Sequence, residues 1–137
     1  MIFMLMPAIH FAGNCNEVIE FYKKTVNAKV KDIAYAKNAP AEFSAELPPD
    51  FVMHSEIEIF GISLSLTDGC EKPPSSTNYT LMAMFNTAEE VTTAFNNLSE
   101  GATITEPLGK QFWADLTGSL TDRYGVNWCL LTYTMPS

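Results

Sequence analysis

The sequence predicts an α+β fold in which one plan, a strand, a helix and three further strands, is used twice. Three observations lead there. Asn14-Cys15-Asn16-Glu17 and Thr87-Ala88-Glu89-Glu90 both carry the helix-start signature of a capping residue followed three positions later by glutamate. Gly61-Ile62-Ser63-Leu64-Ser65-Leu66 lines up with Gly125-Val126-Asn127-Trp128-Cys129-Leu130. Strict alternation over 53–59 and again over 62–67 marks a hairpin. The repeat divides the chain into module one at 1–69, a linker at 70–78 and module two at 79–137, the linker holding Pro73-Pro74-Ser75-Ser76 and no periodic pattern.

Each element has its own warrant. Short apolar strands are expected at 7–12 and 80–85. Val18, Ile19, Tyr22 and Val26 follow the first cap, and Val91, Ala94, Phe95 and Leu98 the second, at the spacing of a one-faced helix. The hairpin turns at Phe60-Gly61, where glycine supplies positive φ and phenylalanine is an unusual companion. That register sets Ile57 against Leu64 and Ile59 against Ile62 on an oily face. On the polar face it sets His54 against Thr67, Glu56 against Ser65 and Glu58 against Ser63. Trp128 falls on the oily side and reads as core. Asp122-Arg123-Tyr124-Gly125 reads as a turn and Asp68-Gly69 as the start of a loop.

Composition narrows the function classes. Of 137 residues 47% are hydrophobic, enough for one ordinary core without disulfides or a structural metal. No run reaches the ~18 apolar residues of a membrane span. Met1–Met6 is apolar but lacks a basic leader and is too short for a signal core, so a soluble, unprocessed chain is expected. Eight basic residues stand against sixteen acidic ones, and Arg123 is the sole arginine. Such a surface repels phosphate backbones and anionic headgroups, which sets aside nucleic acid and membrane as partners. Cys15, Cys70 and Cys129 are odd in number and form no C-x-x-C pair, the pattern of free thiols in a reducing cytoplasm.

The run Pro7-Ala8-Ile9-His10-Phe11-Ala12-Gly13-Asn14-Cys15 with Phe21-Tyr22-Lys23-Lys24 resembles the opening of PhnB-like proteins. His54-Ser55-Glu56-Ile57 with Asp68, Phe112-Trp113-Ala114 and Asp122-Arg123-Tyr124-Gly125-Val126-Asn127-Trp128 extend the likeness over nearly the whole chain. PhnB-like proteins are a branch of the vicinal oxygen chelate superfamily, with glyoxalase I, bleomycin-resistance proteins and extradiol dioxygenases. The resemblance implies two βαβββ modules curling into cups, usually in a homodimer. It also implies a divalent metal held by one residue from the first and one from the last strand of each module. In this chain those positions fall at Met6 or Pro7, Ser65, near Thr80 and Cys129. Only Cys129 is a ligand type that such an ion favours, so no metal or other cofactor is expected.

His54 and Glu56 are the candidates for chemistry: a carboxylate two residues along the strand favours a charged imidazole and suits a general base. The bland alternative is a solvated strand face. His10, on the same face, completes the ingredients of a two-histidine, one-carboxylate metal triad, although the sheet order that the resemblance implies puts a strand between them and their backbones roughly 9–10 Å apart. Ser65 and Thr67 line the same cup. In module two the expected lining is Met82 and Met84, soft and adaptable, with Cys129 as inert lining. Trp113 and Asp115, placed on one face by alternation, supply an aromatic wall with a polar anchor. Three functional readings remain: a metal-free binder of a small, partly apolar molecule; an enzyme using His54 and Glu56 or an unorthodox His10/His54/Glu56 metal site; and a homodimeric interaction module.

Overall fold

The structure is a computed structural model describing residues 4–133; Met1–Phe3, part of the apolar opening, and the last four residues of module two lie outside the described residues. The chain forms two compact units, residues 1–74 and 75–137. In the first, β1 (Ala8–Phe11) is followed by α1 (Cys15–Thr25) and β2 (Lys29–Tyr35). A 3₁₀ turn (Ala36–Asn38) and a one-turn helix, α2 (Ala41–Ser44), lead to the hairpin β3 (Val52–Ile59) and β4 (Ile62–Asp68). The second unit runs β5 (Leu81–Phe85), α3 (Ala88–Leu98), β6 (Thr103–Gln111), β7 (Ala114–Thr121) and β8 (Asn127–Thr132). Strand orders are β1-β4-β3-β2 and β5-β8-β7-β6, with β1 parallel to β4, β5 parallel to β8 and the other neighbours antiparallel. The doubled plan read from the repeat is the architecture observed.

Both helices bury the expected stripes. Val18, Ile19 and Tyr22 of α1, Val26 just beyond it, and Val91, Ala94, Phe95 and Leu98 of α3 are all buried. Each such aliphatic or aromatic side chain contributes about 1.5–3 kcal/mol by leaving water. Their partners are one face of each sheet: Phe11, Ile57, Ile59, Leu64 and Leu66 in the first unit, Ala83, Leu120, Trp128 and Leu130 in the second. Gly118 shows how close that packing is. A Cβ there would lie 2.8 Å from Phe95 Cε2 and 3.0 Å from Leu108 Cδ2, so only a residue without one lets α3 settle on β7.

The helix starts differ from expectation in one case. Thr87 forms the full capping box, its hydroxyl accepting from Glu90 N–H at 3.2 Å while Glu90 Oε1 accepts from Thr87 N–H at 3.2 Å. Asn14 makes no side-chain cap bond. The carboxylate of Asp68, 6% exposed, does that work from β4: Oδ1 accepts from Gly13 and Cys15 N–H, each at 2.9 Å.

The hairpin turns where expected, with Phe60 at φ 51° and Gly61 at φ 82°, both in the left-handed region that a two-residue turn of this hand requires. The pairs Ile57–Leu64, Glu58–Ser63 and Ile59–Ile62 form the ladder, although Ile62, next to the turn, is 57% exposed. Farther from the turn, side chains replace the ladder. Ser55 Oγ donates to Leu66 O at 2.5 Å and accepts from Leu66 N–H at 3.1 Å, and Asp68 Oδ2 accepts from Val52 N–H at 3.0 Å. The expected Glu56–Ser65 and His54–Thr67 pairs are therefore absent from the register given for this ladder. Alternation also ends at Met53, because pairing with β2 slips there and turns Val52 inward.

Sheet edges are guarded unequally. β2 carries Lys29 and Lys31 and slips register twice; β6 carries Pro107 and slips three times. β1 and β5 are short, and neither holds a lysine or proline.

Candidate functional site

The helices cover one face of each sheet, and the opposite, open face holds the candidate residues. In the first unit, alternation places His54, Glu56 and Glu58 on the open side of β3, Ser63, Ser65 and Thr67 on that of β4, and Ala8 and His10 on that of β1. His10 stands opposite Thr67 in the parallel ladder, and His10 Nδ1 and Thr67 Oγ1 share a hydrogen bond of 2.7 Å. β4 lies between β1 and β3, as the resemblance implied.

Glu56 is held by partners that inspection of the sequence alone did not find. Ser63 Oγ donates to its Oε2 at 2.8 Å, and Lys31 Nζ, on the edge strand, lies 3.3 Å from the same oxygen. Those two hydrogen bonds, the serine's first, keep the carboxyl below the ordinary glutamate range; burial opposes them, and the charge of His54 is the smallest contribution. Glu56 is thus ionised and anchored across the sheet rather than dedicated to His54. Ser63 was findable, since it stands diagonal to Glu56 once the Glu58–Ser63 pair is drawn. Lys31 was not, because the pairing of β2 with β3 is set across residues 36–51 and not by a short turn. His54, paired with Ala34, is exposed.

The second unit's open face is chemically different. Met82 stands opposite Cys129 in the parallel ladder, and both Met82 and Met84 are more than half exposed while Ala83 between them is buried. Cys129 is half-buried, opposite Ser119 on β7 and 3.8 Å from the hydroxyl of Thr117. Trp113 is not on this face of a strand. Gln111 pairs with Ala114, so Phe112 and Trp113 form the turn between β6 and β7, their rings edge to face at 4.7 Å and Phe112 96% exposed. The alternation that seemed to link Trp113 with exposed Asp115 begins only at Ala114. Trp128 is core, its Nε1 donating to Asp122 Oδ2 at 2.9 Å. Asp122 Oδ1 accepts from Tyr124 and Val126 N–H and so shapes the turn.

Two grooves lie away from these residues or beside them. One of about 580 Å³ runs past Val26, Lys29, Glu58 and Phe60 at the hairpin end of the first unit. One of about 180 Å³ in the second unit is walled by Thr80, Thr105, Ser119, Thr121 and Asn127.

Two four-stranded sheets, of order β1-β4-β3-β2 and β5-β8-β7-β6, each with a helix on one face, define a glyoxalase-like α+β fold. More narrowly, the chain belongs to the family described as 3-demethylubiquinone-9 3-methyltransferase, whose model matches residues 4–131. It is 28% identical to Protein YjdN of Escherichia coli (strain K12) over 138 aligned positions covering 92% of each chain. Its fold is similar to that of protein PA1353 from Pseudomonas aeruginosa, with TM-score 0.80 and 24% identity over 96% of this chain and 98% of that one. The PhnB protein from Bacillus cereus gives TM-score 0.76 and 23% identity over 95% and 99%. The fosfomycin resistance protein FosX from Listeria monocytogenes, in complex with Mn(II) and 1S,2S-dihydroxypropylphosphonic acid, gives 0.69 and 15% over 98% and 96%.

The superfamily's metal centre can be tested against the register. Ala8, rather than Met6 or Pro7, stands opposite Ser65, and Met82 rather than Thr80 stands opposite Cys129. A methyl group, a hydroxyl, a thioether and a thiol do not fit a hard divalent ion. Among the described residues no group of three His, Cys, Asp or Glu side chains is placed to hold a metal ion, the His10/His54/Glu56 set included. No helix among the described residues is long and apolar enough to cross a membrane.

Proposed function

We propose that the first unit's open face binds a small, partly apolar molecule bearing hydrogen-bonding groups, with His10, His54, Ser65 and Thr67 as its polar contacts and Glu56 as a fixed negative charge. The observation that carries this reading is the Ser63–Glu56–Lys31 network. A carboxylate tethered from two sides stands on a sheet whose other face is packed against a helix, an expense of ordering that a merely solvated face does not need. Met82, Met84, Cys129 and Asp115 form the corresponding face of the second unit, and Trp113 contributes from the neighbouring turn. If the protein moves protons, His54 carries them, because a carboxylate held ionised is a weaker base.

An adenosyl methyl donor, which the family's description suggests, needs a free carboxylate for its ribose hydroxyls beside an aromatic slot. Glu56 is already bonded to Ser63 and Lys31 and is not free for that role. The unguarded β1 and β5 edges favour a homodimer in which they are covered, and three free cysteines favour the cytoplasm.

The test is a calorimetric and thermal-shift screen of small metabolites, with S-adenosylmethionine as one arm, on wild type and His54→Ala. A hit should lose about tenfold in affinity in His54→Ala, with the apo melting temperature nearly unchanged. Equal binding by the variant makes His54 a bystander. Saturable binding of S-adenosylmethionine overturns the assignment, and a screen without hits leaves the interaction module as the better reading.

A further inference from the structure

The geometry points to a site for a monovalent thiophilic cation, Cu(I), on the open face of the second unit, with Met82, Met84 and Cys129 as its three sulfur ligands. This goes beyond the small-molecule reading and does not depend on it, since it rests on the sulfur atoms of the second unit and not on the polar contacts of the first.

Placement comes first. Met82 and Cys129 are register partners on adjacent parallel strands, and Met84 follows Met82 on the same face with buried Ala83 turned away between them. Neighbouring strands are about 4.8 Å apart and same-face residues about 7 Å. A methionine side chain has three rotatable bonds, so both thioethers reach toward the thiol without moving the backbone. Met82 and Met84 are 57% and 52% exposed, an unusual position for two long apolar side chains side by side.

Chemistry selects the ion. Thioether and thiolate donors select soft Cu(I), while Mg(II), Ca(II) and Mn(II) want oxygen. Binding replaces the thiol proton, which goes to bulk water, by a copper–sulfur bond, with no change of oxidation state. The Thr117 hydroxyl, 3.8 Å from Cys129 Sγ, becomes the hydrogen-bond donor to the thiolate. Thr117 is itself buried, so that donor is fixed in place. The first unit has no counterpart: Ala8 and Ser65 occupy the places of Met82 and Cys129. At these paired positions sulfur is thus found in the second unit alone.

The experiment is anaerobic competition for Cu(I) against bicinchoninate, in the Cys70→Ser background because Cys70 is an exposed thiol able to bind copper by itself. Cys15 is buried, and burial and the nearby Asp68 charge push its pKa up to about 12, so it does not compete. The Cys70→Ser protein should take one copper per chain. Cys129→Ser should lose about 100-fold in affinity, and Met82→Leu and Met84→Leu about tenfold each. The leucine variants conserve volume and should fold and melt like the parent, which keeps the test valid even if Cys129→Ser is unstable. Failure of the Cys70→Ser protein to remove copper from bicinchoninate overturns the site. So does unchanged affinity in both leucine variants, which would reduce it to an ordinary thiol.

Discussion

Asp68 in the first unit and Asp122 in the second are both buried at the end of a core strand, but they act over different distances. Asp68 binds the backbone of Gly13, Cys15 and Val52, 55, 53 and 16 residues away in sequence, and so joins a helix start, a loop and a strand. Asp122 binds Tyr124, Val126 and Trp128, two to six residues on, and shapes a turn beneath a core indole. The helices divide in the same way, since α3 is capped by its own Thr87 and Glu90 and α1 by a carboxylate from across the sheet. One plan is therefore stabilised in the first unit by remote bonds and in the second by local ones.

The largest effect should come from removing the remote carboxylate. Asp68→Ala leaves three backbone N–H groups without that acceptor and should cost about 3–5 kcal/mol, read by urea unfolding. Asp122→Ala should cost less, about 2–3 kcal/mol, with a shift in Trp128 fluorescence. If the two cost the same, the contrast between remote and local bonding fails.

A smaller effect sharpens it at the helix starts. Thr87→Ala should lose about 1 kcal/mol, whereas Asn14→Ala, with no cap bond to lose, should stay within about 0.5 kcal/mol of wild type. A cost at Asn14 matching that at Thr87 would restore the symmetry that their sequences suggest.

The smallest effect concerns pH. The Glu56 carboxyl is held below its ordinary range in the folded state, first by Ser63 and then by Lys31. Its stabilising contribution is present above the unfolded glutamate pKa and is lost as pH falls through the lower, folded value. Any melting-temperature advantage of wild type over Glu56→Gln at neutral pH should vanish in acid below that value. An advantage that persists there would show the network to be indifferent to charge.

The repeat, both helix stripes and the hairpin were legible because period and turn chemistry are local properties. Ile57 against Leu64 follows from the Phe60-Gly61 turn alone, and Val91, Ala94, Phe95 and Leu98 from spacing alone. What escaped was nonlocal or aperiodic. Asn14 has the form of a cap but loses the place to Asp68, which no short window contains. The turns between β2 and β3 are too short to show a period. Trp113 looked like strand because a two-residue turn flanked by alternating residues leaves alternation apparently intact. At the site, His54 and Glu56 do fall on the open face of β3, but the lysine that fixes Glu56 lies on β2, whose pairing with β3 is set across residues 36–51 and not by a short turn.

The remote cap of α1 also bears on how the chain matures while it is being synthesised. α1 leaves the ribosome ahead of the carboxylate that caps it and of the strand that pairs with β1, both of which come more than fifty residues later. Until Asp68 emerges, that helix has only its own weak tendency to form and an uncovered apolar stripe. α3 needs no such wait, because its capping box lies within its own first turn. During translation the N-terminal half is therefore the one exposed to chaperones and proteases for longest, and a pause in elongation before residue 68 would be more hazardous than one of equal length after it.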